Sequence, residues 1–238
     1  MPIRGAKGFT LIELLVAIGI ATGLLAAIYM AINATQRHST SIERRVTAQQ
    51  DVKPALELMA MEIGMASYNR LQAAGLWVNP TNANCFDTTT ATQTYRGIQE
   101  ATADSILVEM DIGGSSGGDG NGLLGEPNEV IRYNYNTANQ YITRETNCGG
   151  GQPFLGDTVA GRKTVRVIND TLGIPVFRYF DGAGIEIAST SLPAGIPNIR
   201  RIEIVLAVET EFNDANTGQP KRLIYSTSVI PRNHAIQQ

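Results

Sequence analysis

The feature that most constrains this chain is an apolar run near its start. Between Phe9 and Ile32 the one charged side chain is Glu13. As a helix this run would be roughly 36 Å long, which is enough to cross a bilayer. Arg4 and Lys7 precede it, and positively charged residues stay on the cytoplasmic side of a membrane. The sequence therefore predicts one membrane-spanning helix with the rest of the chain outside the cytoplasm.

The run differs from a secretory signal peptide. Such a signal has an apolar core of about 7–15 residues followed by a cleavage site made of small residues. Here the apolar run is longer, and no A-x-A sequence follows it. The segment is therefore predicted to stay in the protein as an anchor.

The carboxylate of Glu13 needs a separate explanation, because a charge inside a bilayer is costly unless it is paired. One explanation is cleavage between Gly8 and Phe9, which would create a free ammonium group one helical turn from Glu13. That ammonium could pair with Glu13 of the same chain or of a neighbouring copy. The other explanation is a protonated Glu13 near the membrane surface. The residues alone leave both explanations open.

The stretch KGFTLIELL, residues 7–15, resembles the prepilin processing motif of type IV pilins and of type II secretion pseudopilins. The resemblance implies cleavage after Gly8 by a prepilin peptidase and N-methylation of Phe9. It also implies that Glu13 acts in assembly by meeting the N-terminal amine in the filament.

The helical pattern continues beyond the apolar run and becomes amphipathic. Apolar and neutral side chains recur at a spacing of three to four residues, which predicts one helix from about Phe9 to Ser67. Pro54 removes a backbone hydrogen bond and is expected to kink this helix. The predicted buried stripe consists of Ile42, Val46, Gln49, Leu56, Met59 and Ile63.

From about Leu71 the pattern changes to short strands and turns. A helix followed by strands indicates an α+β fold, with an antiparallel sheet covered by the amphipathic half of the helix. The predicted strands are Ser105–Met110, Val130–Tyr135, Gln140–Arg144, Thr164–Ile168, Val176–Phe180, Ile185–Ile187, Ile202–Val208 and Leu223–Ile230. The domain boundaries are a leader 1–8, a transmembrane segment 9–33, an extracytoplasmic stem 34–70 and a β-rich head 71–238.

Four further stretches resemble W-type minor pilins and the related J-type pseudopilins. They are ALELMAMEIGMASY, VFRYFDGAGIEI, IRRIEIVLAVE and SVIPRN. The resemblance implies a type IV pilin fold and a non-enzymatic subunit at or near the filament tip that helps to start pilus assembly. Its partners would be other minor pilins, the major pilin, the prepilin peptidase and the inner-membrane assembly machinery. The alternative is a J-type pseudopilin of a type II secretion system.

The resemblance also implies a location. The subunit would lie in the bacterial inner membrane with its head extracytoplasmic, and after assembly in a pilus or pseudopilus filament. The net charge of -3 and the absence of a basic tail do not suggest binding to nucleic acid.

The two cysteines, Cys85 and Cys148, are far apart and form no CxxC motif. A structural zinc site needs four ligands, and the two histidines are remote in sequence from both cysteines. In an extracytoplasmic protein one disulfide is the simple interpretation, and closing a loop of about 64 residues would stabilise the fold by roughly 4 kcal/mol.

A Gly-rich loop at residues 111–122 raises the possibility of a metal site. Oxygen ligands on such a loop suit Ca²⁺, although an EF-hand register does not fit. No other cofactor is expected, and a disordered connector is the alternative. A membrane-anchored calcium-dependent adhesin is the corresponding alternative function. The candidate calcium ligands are Asp111, Asp119, Asn121 and Glu126.

The same loop contains a formal match to the G-x-S-x-G motif at residues 114–118. That motif needs a preceding strand, a following helix and a histidine partner. His38 is expected on the stem and His234 near the C-terminus, so the match is interpreted as chance and no catalytic residue is predicted.

Overall fold

The computed structural model describes residues 8–79, 92–114, 120–159, 161, 163–214 and 216–235. A long helix, α1 at Leu11–Gly64, precedes a head that has two antiparallel sheets within these residues. The predicted α+β class, with a long N-terminal helix and an antiparallel head, is confirmed. The prediction of one sheet is wrong, since the described strands divide between two.

The first half of α1 does not contact the head. From Phe9 to Ile32 its large apolar side chains are all exposed, and the most apolar window of the helix has 0% of its residues buried. Among the described residues, α1 is the one helix long and apolar enough to cross a membrane. Among the described residues of the head, these side chains therefore have no apolar partner.

The second half of α1 packs against the head through one face. Leu56, Met59 and Ile63 are buried as predicted, but Ile42 and Val46 are 53% and 43% exposed. That part of the predicted stripe is wrong because small side chains, Ser41 and Ala48, occupy the buried face there. Pro54 lies inside the helix, which continues past it to Gly64. The buried residues of α1 are Ser41, Ala48, Val52, Ala55, Leu56, Met59, Glu62 and Ile63.

The first sheet is a five-stranded antiparallel meander with the order β1-β2-β3-β4-β5. Polar side chains of β3 alternate with Ile131, Tyr133 and Tyr135, which are buried in the core. β1 and β5 were not predicted, because both are short and contain polar residues. The strands are β1 Ile98–Ala101, β2 Ser105–Glu109, β3 Val130–Asn136, β4 Tyr141–Thr146 and β5 Gln152–Leu155.

The second sheet is built on one long strand, β8 at Arg201–Thr210. Along one edge β8 pairs with β9, Arg222–Val229. Along the other edge it pairs with β7, Phe177–Phe180, and with β6, Val165–Val167. The predicted core face is correct, because Ile202, Ile204, Leu206 and Val208 are fully buried, but β8 is buried on both faces from Ile204 to Thr210.

A side chain fills the gap between β6 and β7. Asn169 begins a short helix, α2 at Asn169–Leu172, and is fully buried. Its Nδ2 donates to the carbonyl of Val205 at 2.9 Å, and its Oδ1 accepts the N–H of Ala207 at 2.8 Å. The amide therefore replaces the strand that is absent at this point of the β8 edge.

The predicted hairpin after β7 is only partly correct. Ile185–Ile187 does not form a strand, and the one bridge here joins Phe180 to Glu186. The Asp181 carboxylate accepts the N–H groups of Ala183 and Ile185, each at 2.9 Å, and so closes the turn without a second strand. Most buried apolar side chains of α1 and of both sheets form one hydrophobic core, and Leu107 and Val130 of the first sheet form a smaller cluster with Val78.

Candidate assembly site and helix–head contacts

The start of α1 is fixed by a reciprocal contact between Thr10 and Glu13. The Thr10 hydroxyl accepts the N–H of Glu13 at 3.3 Å, while Glu13 Oε2 accepts the Thr10 N–H at 2.9 Å and its hydroxyl at 2.8 Å. This is a capping box, which satisfies two backbone donors at a helix start. Both contacts to the carboxylate use Oε2, and within the described part of the chain no donor reaches Oε1.

The predicted cleavage site lies next to this capping box. Gly8 and Phe9 are exposed, and the Phe9 side chain is 89% exposed. An ammonium group on Phe9 would stand one residue before the cap residue Thr10, at the positive end of the helix dipole. The structure thus brings Gly8, Phe9 and Glu13 together at one helix end. Cleavage, methylation and the assembly role of Glu13 stay predictions.

At the other end of α1, Glu62 joins the helix to the first sheet. Arg144 approaches it through two N–H groups, with Nη2 at 2.6 Å from Oε1 and Nε at 3.0 Å from Oε2. The buried Tyr133 hydroxyl donates to the same carboxylate. Burial, followed by the hydrogen bond to Glu62, raises the pKa of Tyr133, and the hydrogen bond to Glu62 raises the pKa of Arg144. This network was missed because the sequence places its members on three different elements.

The membrane-proximal part of the stem is held by the connection between β8 and β9. The hydroxyl of Ser41 donates to Asp214, and Lys221 Nζ lies 3.0 Å from Asp214 Oδ2. The hydrogen bond from Ser41, those from the N–H groups of Asn216 and Thr217, and Lys221 hold the pKa of Asp214 well below its usual value. The connection is therefore anchored on the helix by a charged group that stays ionised.

In the Gly-rich loop the three described calcium candidates, Asp111, Asn121 and Glu126, are joined by hydrogen bonds. The carboxylate of Asp111 is buried and accepts the N–H groups of Asn121 and Gly122, each at 2.9 Å. The Asn121 side chain donates to Glu126 at 2.7 Å, and Asp119 lies outside the described residues. Among the described residues, no group of three His, Cys, Asp or Glu side chains is placed to hold a metal ion. Calcium binding stays a prediction.

Glu129, which was not among the predicted calcium ligands, holds this loop through its carboxylate. Its Oε1 accepts the N–H groups of Ile112 and Gly113, and its Oε2 accepts those of Gly125 and Glu126, at 2.8 to 3.2 Å. One buried carboxylate therefore fixes both ends of the loop. The signal in the sequence would have been an acidic residue directly before a strand and after a glycine-rich stretch.

Only one of the two cysteines in the predicted disulfide lies among the described residues. Cys148 is disulfide-bonded, and Cys85 lies outside the described residues, so their pairing stays a prediction. Ser115 and Ser116 of the G-x-S-x-G match also lie outside the described residues.

The two histidines lie in different environments. His38 is exposed on the stem. The buried ring of His234 has Nδ1 2.9 Å from the Ser67 hydroxyl and Nε2 2.8 Å from the Ile196 carbonyl oxygen. Burial lowers the pKa of His234. Since both ring nitrogens are occupied within the core, these contacts fix the C-terminal segment to Ser67, just after α1, and to Ile196.

Comparison with known proteins gives one match. Residues 3–29 match the family described as a prokaryotic N-terminal methylation motif. No curated protein and no solved structure shows a significant match to the chain. The motif and the exposed apolar helix support a type IV pilin-like or pseudopilin-like protein that is anchored in a membrane, processed by a prepilin peptidase and incorporated by pilus-type machinery.

Proposed function

We propose that this chain is a minor pilin subunit that helps to start assembly of a type IV pilus, at or near the filament tip. The observation that carries the proposal is the methylation motif at residues 3–29, placed on a helix whose first half is left uncovered by the described part of the head. Before assembly the bilayer covers this surface, and in a filament the helices of neighbouring subunits cover it.

Glu13 supplies the proposed register of assembly. One of its oxygens is held by Thr10, and the other is open to a donor from outside the subunit. The methylated ammonium of a neighbouring subunit is a donor of the required charge. In the bilayer an unpaired carboxylate is costly, so pairing favours the one axial position at which ammonium and carboxylate meet.

The proposal for the head is that it contacts other minor subunits and does no chemistry of its own. The family of the N-terminal motif is structural, and the buried titratable groups described above are engaged in contacts between elements. A J-type pseudopilin would use the same mechanics in protein export. Neighbouring genes separate these two functions, since pilus genes favour the first and secretion genes the second.

The experiment that tests the proposal is incorporation of a Glu13→Ala variant into filaments. We expect the variant to be processed and its head to fold, but its amount in sheared filaments to fall by about tenfold or more, as for loss of a charged pair. Glu57→Ala is the matched control, because Glu57 is an exposed acid on the same helix. Normal incorporation of Glu13→Ala would contradict the pairing mechanism.

Calcium binding at the Gly-rich loop is a separate proposal that rests on the sequence alone. Titration with Ca²⁺ followed by calorimetry tests it. Heat and a thermal shift at millimolar calcium that disappear in Asp119→Asn would support the proposal. No heat and no shift would contradict it.

A further inference from the structure

The outer edge of β9 is free within the described part of the chain. β9 pairs with β8 along its whole length, and no described strand pairs with its other edge. From the pair of Ile202 with Val229 to the pair of Glu209 with Arg222, the strands pair without a bulge. The edge of β9 is therefore regular over eight residues. A regular unpaired edge is a template for another strand.

The backbone groups that point outward can be assigned from β8. On the β7 side of β8, the N–H of Val205 donates to Val176 and that of Ala207 donates to Asn169. Backbone groups alternate along a strand, so the even-numbered residues of β8 bond to β9. Their partners are the odd-numbered residues of β9, in agreement with the bond from the Thr210 N–H to the Lys221 carbonyl.

It follows that the even-numbered residues of β9 present their N–H and C=O groups to the free edge. They are Arg222, Ile224, Ser226 and Ser228, whose side chains are also exposed, and Arg222 at the start of the strand is the charged one among them. Natural edge strands are usually protected by lysine, proline or a bulge. From Leu223 to Val229 the strand has no charged residue and no proline. Nothing in this segment therefore opposes pairing with another chain.

The direction of β9 limits which strand can pair with it. Just before β9, Lys221 Nζ lies 3.0 Å from Ser41 Oγ of α1. At the end of β9, the Val229 side chain lies beside Gly64, the last residue of α1. β9 therefore runs in the same direction as α1. If β9 of a second copy paired antiparallel with this edge, the two α1 helices would also be antiparallel. Two such helices cannot both enter one membrane with the same orientation.

We propose that the free edge of β9 is the docking site for a strand of a different pilin-type subunit anchored in the same membrane. This proposal rests on the proposed function. The incoming strand adds antiparallel to β9 and so runs toward the membrane. Main-chain hydrogen bonds to Ile224, Ser226 and Ser228 supply the affinity. Side chains of the incoming strand that pack beside Ile224 supply the specificity.

The test uses the full-length subunit in the membranes of its own cells. A benzophenone amino acid replaces Ser228, and cross-linked products are identified by mass spectrometry. In the same chain Ser226→Pro removes one outward N–H without removing a bond to β8, whereas Ser226→Ala keeps that N–H. Ser226→Lys keeps the N–H but places a charge on the edge, and it serves if the proline variant fails to fold.

We expect an adduct with another chain that carries a processed prepilin N-terminus. Ser226→Pro or Ser226→Lys should reduce this adduct by about tenfold, and Ser226→Ala should leave it unchanged. A benzophenone at the exposed Ile185 is the control for accessibility. An adduct only with a second copy, no adduct, or no effect of the edge variants would overturn the proposal. If the chain enters filaments normally in that case, the proposed function stands.

Discussion

At the residue scale, an acidic side chain fixes each end of α1. Glu13 caps the first turn through Thr10, and Glu62 ties the last turn to the first sheet through Arg144. The two carboxylates differ in whether an oxygen remains without a hydrogen-bond donor. Glu62 is fully engaged by Arg144 and Tyr133, whereas Glu13 has one oxygen without a donor in the described part of the chain. Their substitution should therefore affect different properties of the protein.

The cap residue allows a first prediction. Thr10→Ala removes both the cap of the Glu13 N–H and the hydroxyl that binds its carboxylate, which should destabilise the helix start by about 1 kcal/mol. We expect less subunit in sheared filaments, as measured by quantitative immunoblot. Thr10→Ser keeps the hydroxyl and should incorporate normally. Equal incorporation of Thr10→Ala and Thr10→Ser would show that the capping box has no part in assembly.

A second prediction concerns Glu62. Glu62→Ala leaves the Arg144 guanidinium and the Tyr133 hydroxyl without their shared acceptor, so the free energy of unfolding of the head should fall by about 2–4 kcal/mol. Urea unfolding followed by fluorescence of Trp77, the one tryptophan, measures this change. Glu57→Ala on the exposed side of α1 should change the free energy by less than about 0.5 kcal/mol. Similar values for the two variants would contradict the role of the network.

At the scale of elements, the sequence predicted those whose residues alternate strongly. The β8 alternation of Ile202, Ile204, Leu206 and Val208 gave the right strand and the right face. The stem face was misplaced at Ile42 and Val46 because the head approaches that turn through small residues, which hydrophobic periodicity does not register. The strands β1 and β5 lack a clear apolar pattern, and they depend on pairing with neighbours.

The functional residues likewise fall into a local group that the sequence predicted and distant contacts that it did not. A local sequence motif predicted Gly8, Phe9 and Glu13, which lie within one stretch of six residues. The contacts of Glu62, Asp214 and Glu129 bring together residues that are distant in sequence, and no local pattern could reveal them. The free edge of β9 likewise depends on the order of strands, which the sequence did not provide.

A third prediction concerns β2, which carries a buried carboxylic acid. Glu109 is fully buried, its Oε1 has no hydrogen-bond partner among the described residues, and burial raises its pKa well above 4.5. A raised folded-state pKa means that the stabilising contribution is complete below the unfolded value and is lost as the pH rises toward the folded value. We expect the free energy of unfolding to decrease as the pH rises above about 4.5 because of this group.

Glu109→Gln should remove this decrease, since the amide does not titrate. Urea unfolding of both proteins across that pH range measures the slopes. His234 acts with the opposite sign, because its lowered pKa makes stability fall as the pH drops below about 6.5, and both proteins share this effect. Parallel slopes for the two proteins would show that Glu109 is ionised in the folded state.

At the scale of the whole molecule, the two halves of one helix are suited to different environments. Its first half exposes apolar side chains, and its second half is fixed to the head by Glu62 near the end and by Asp214 on Ser41 nearer the membrane. Because the head is attached at two separate levels of the stem, a displacement of the helix should carry the head with it. This is the property that a subunit needs if assembly acts on its helix and recognition occurs on its head.

The central claim is that a new N-terminus is made at Phe9 to meet Glu13. Mass spectrometry of the native subunit, isolated from sheared filaments or from membranes, tests this claim most directly. The account predicts a chain that begins at Phe9 with a methyl group on its amine and lacks residues 1–8. A native subunit that still begins at Met1 would contradict it.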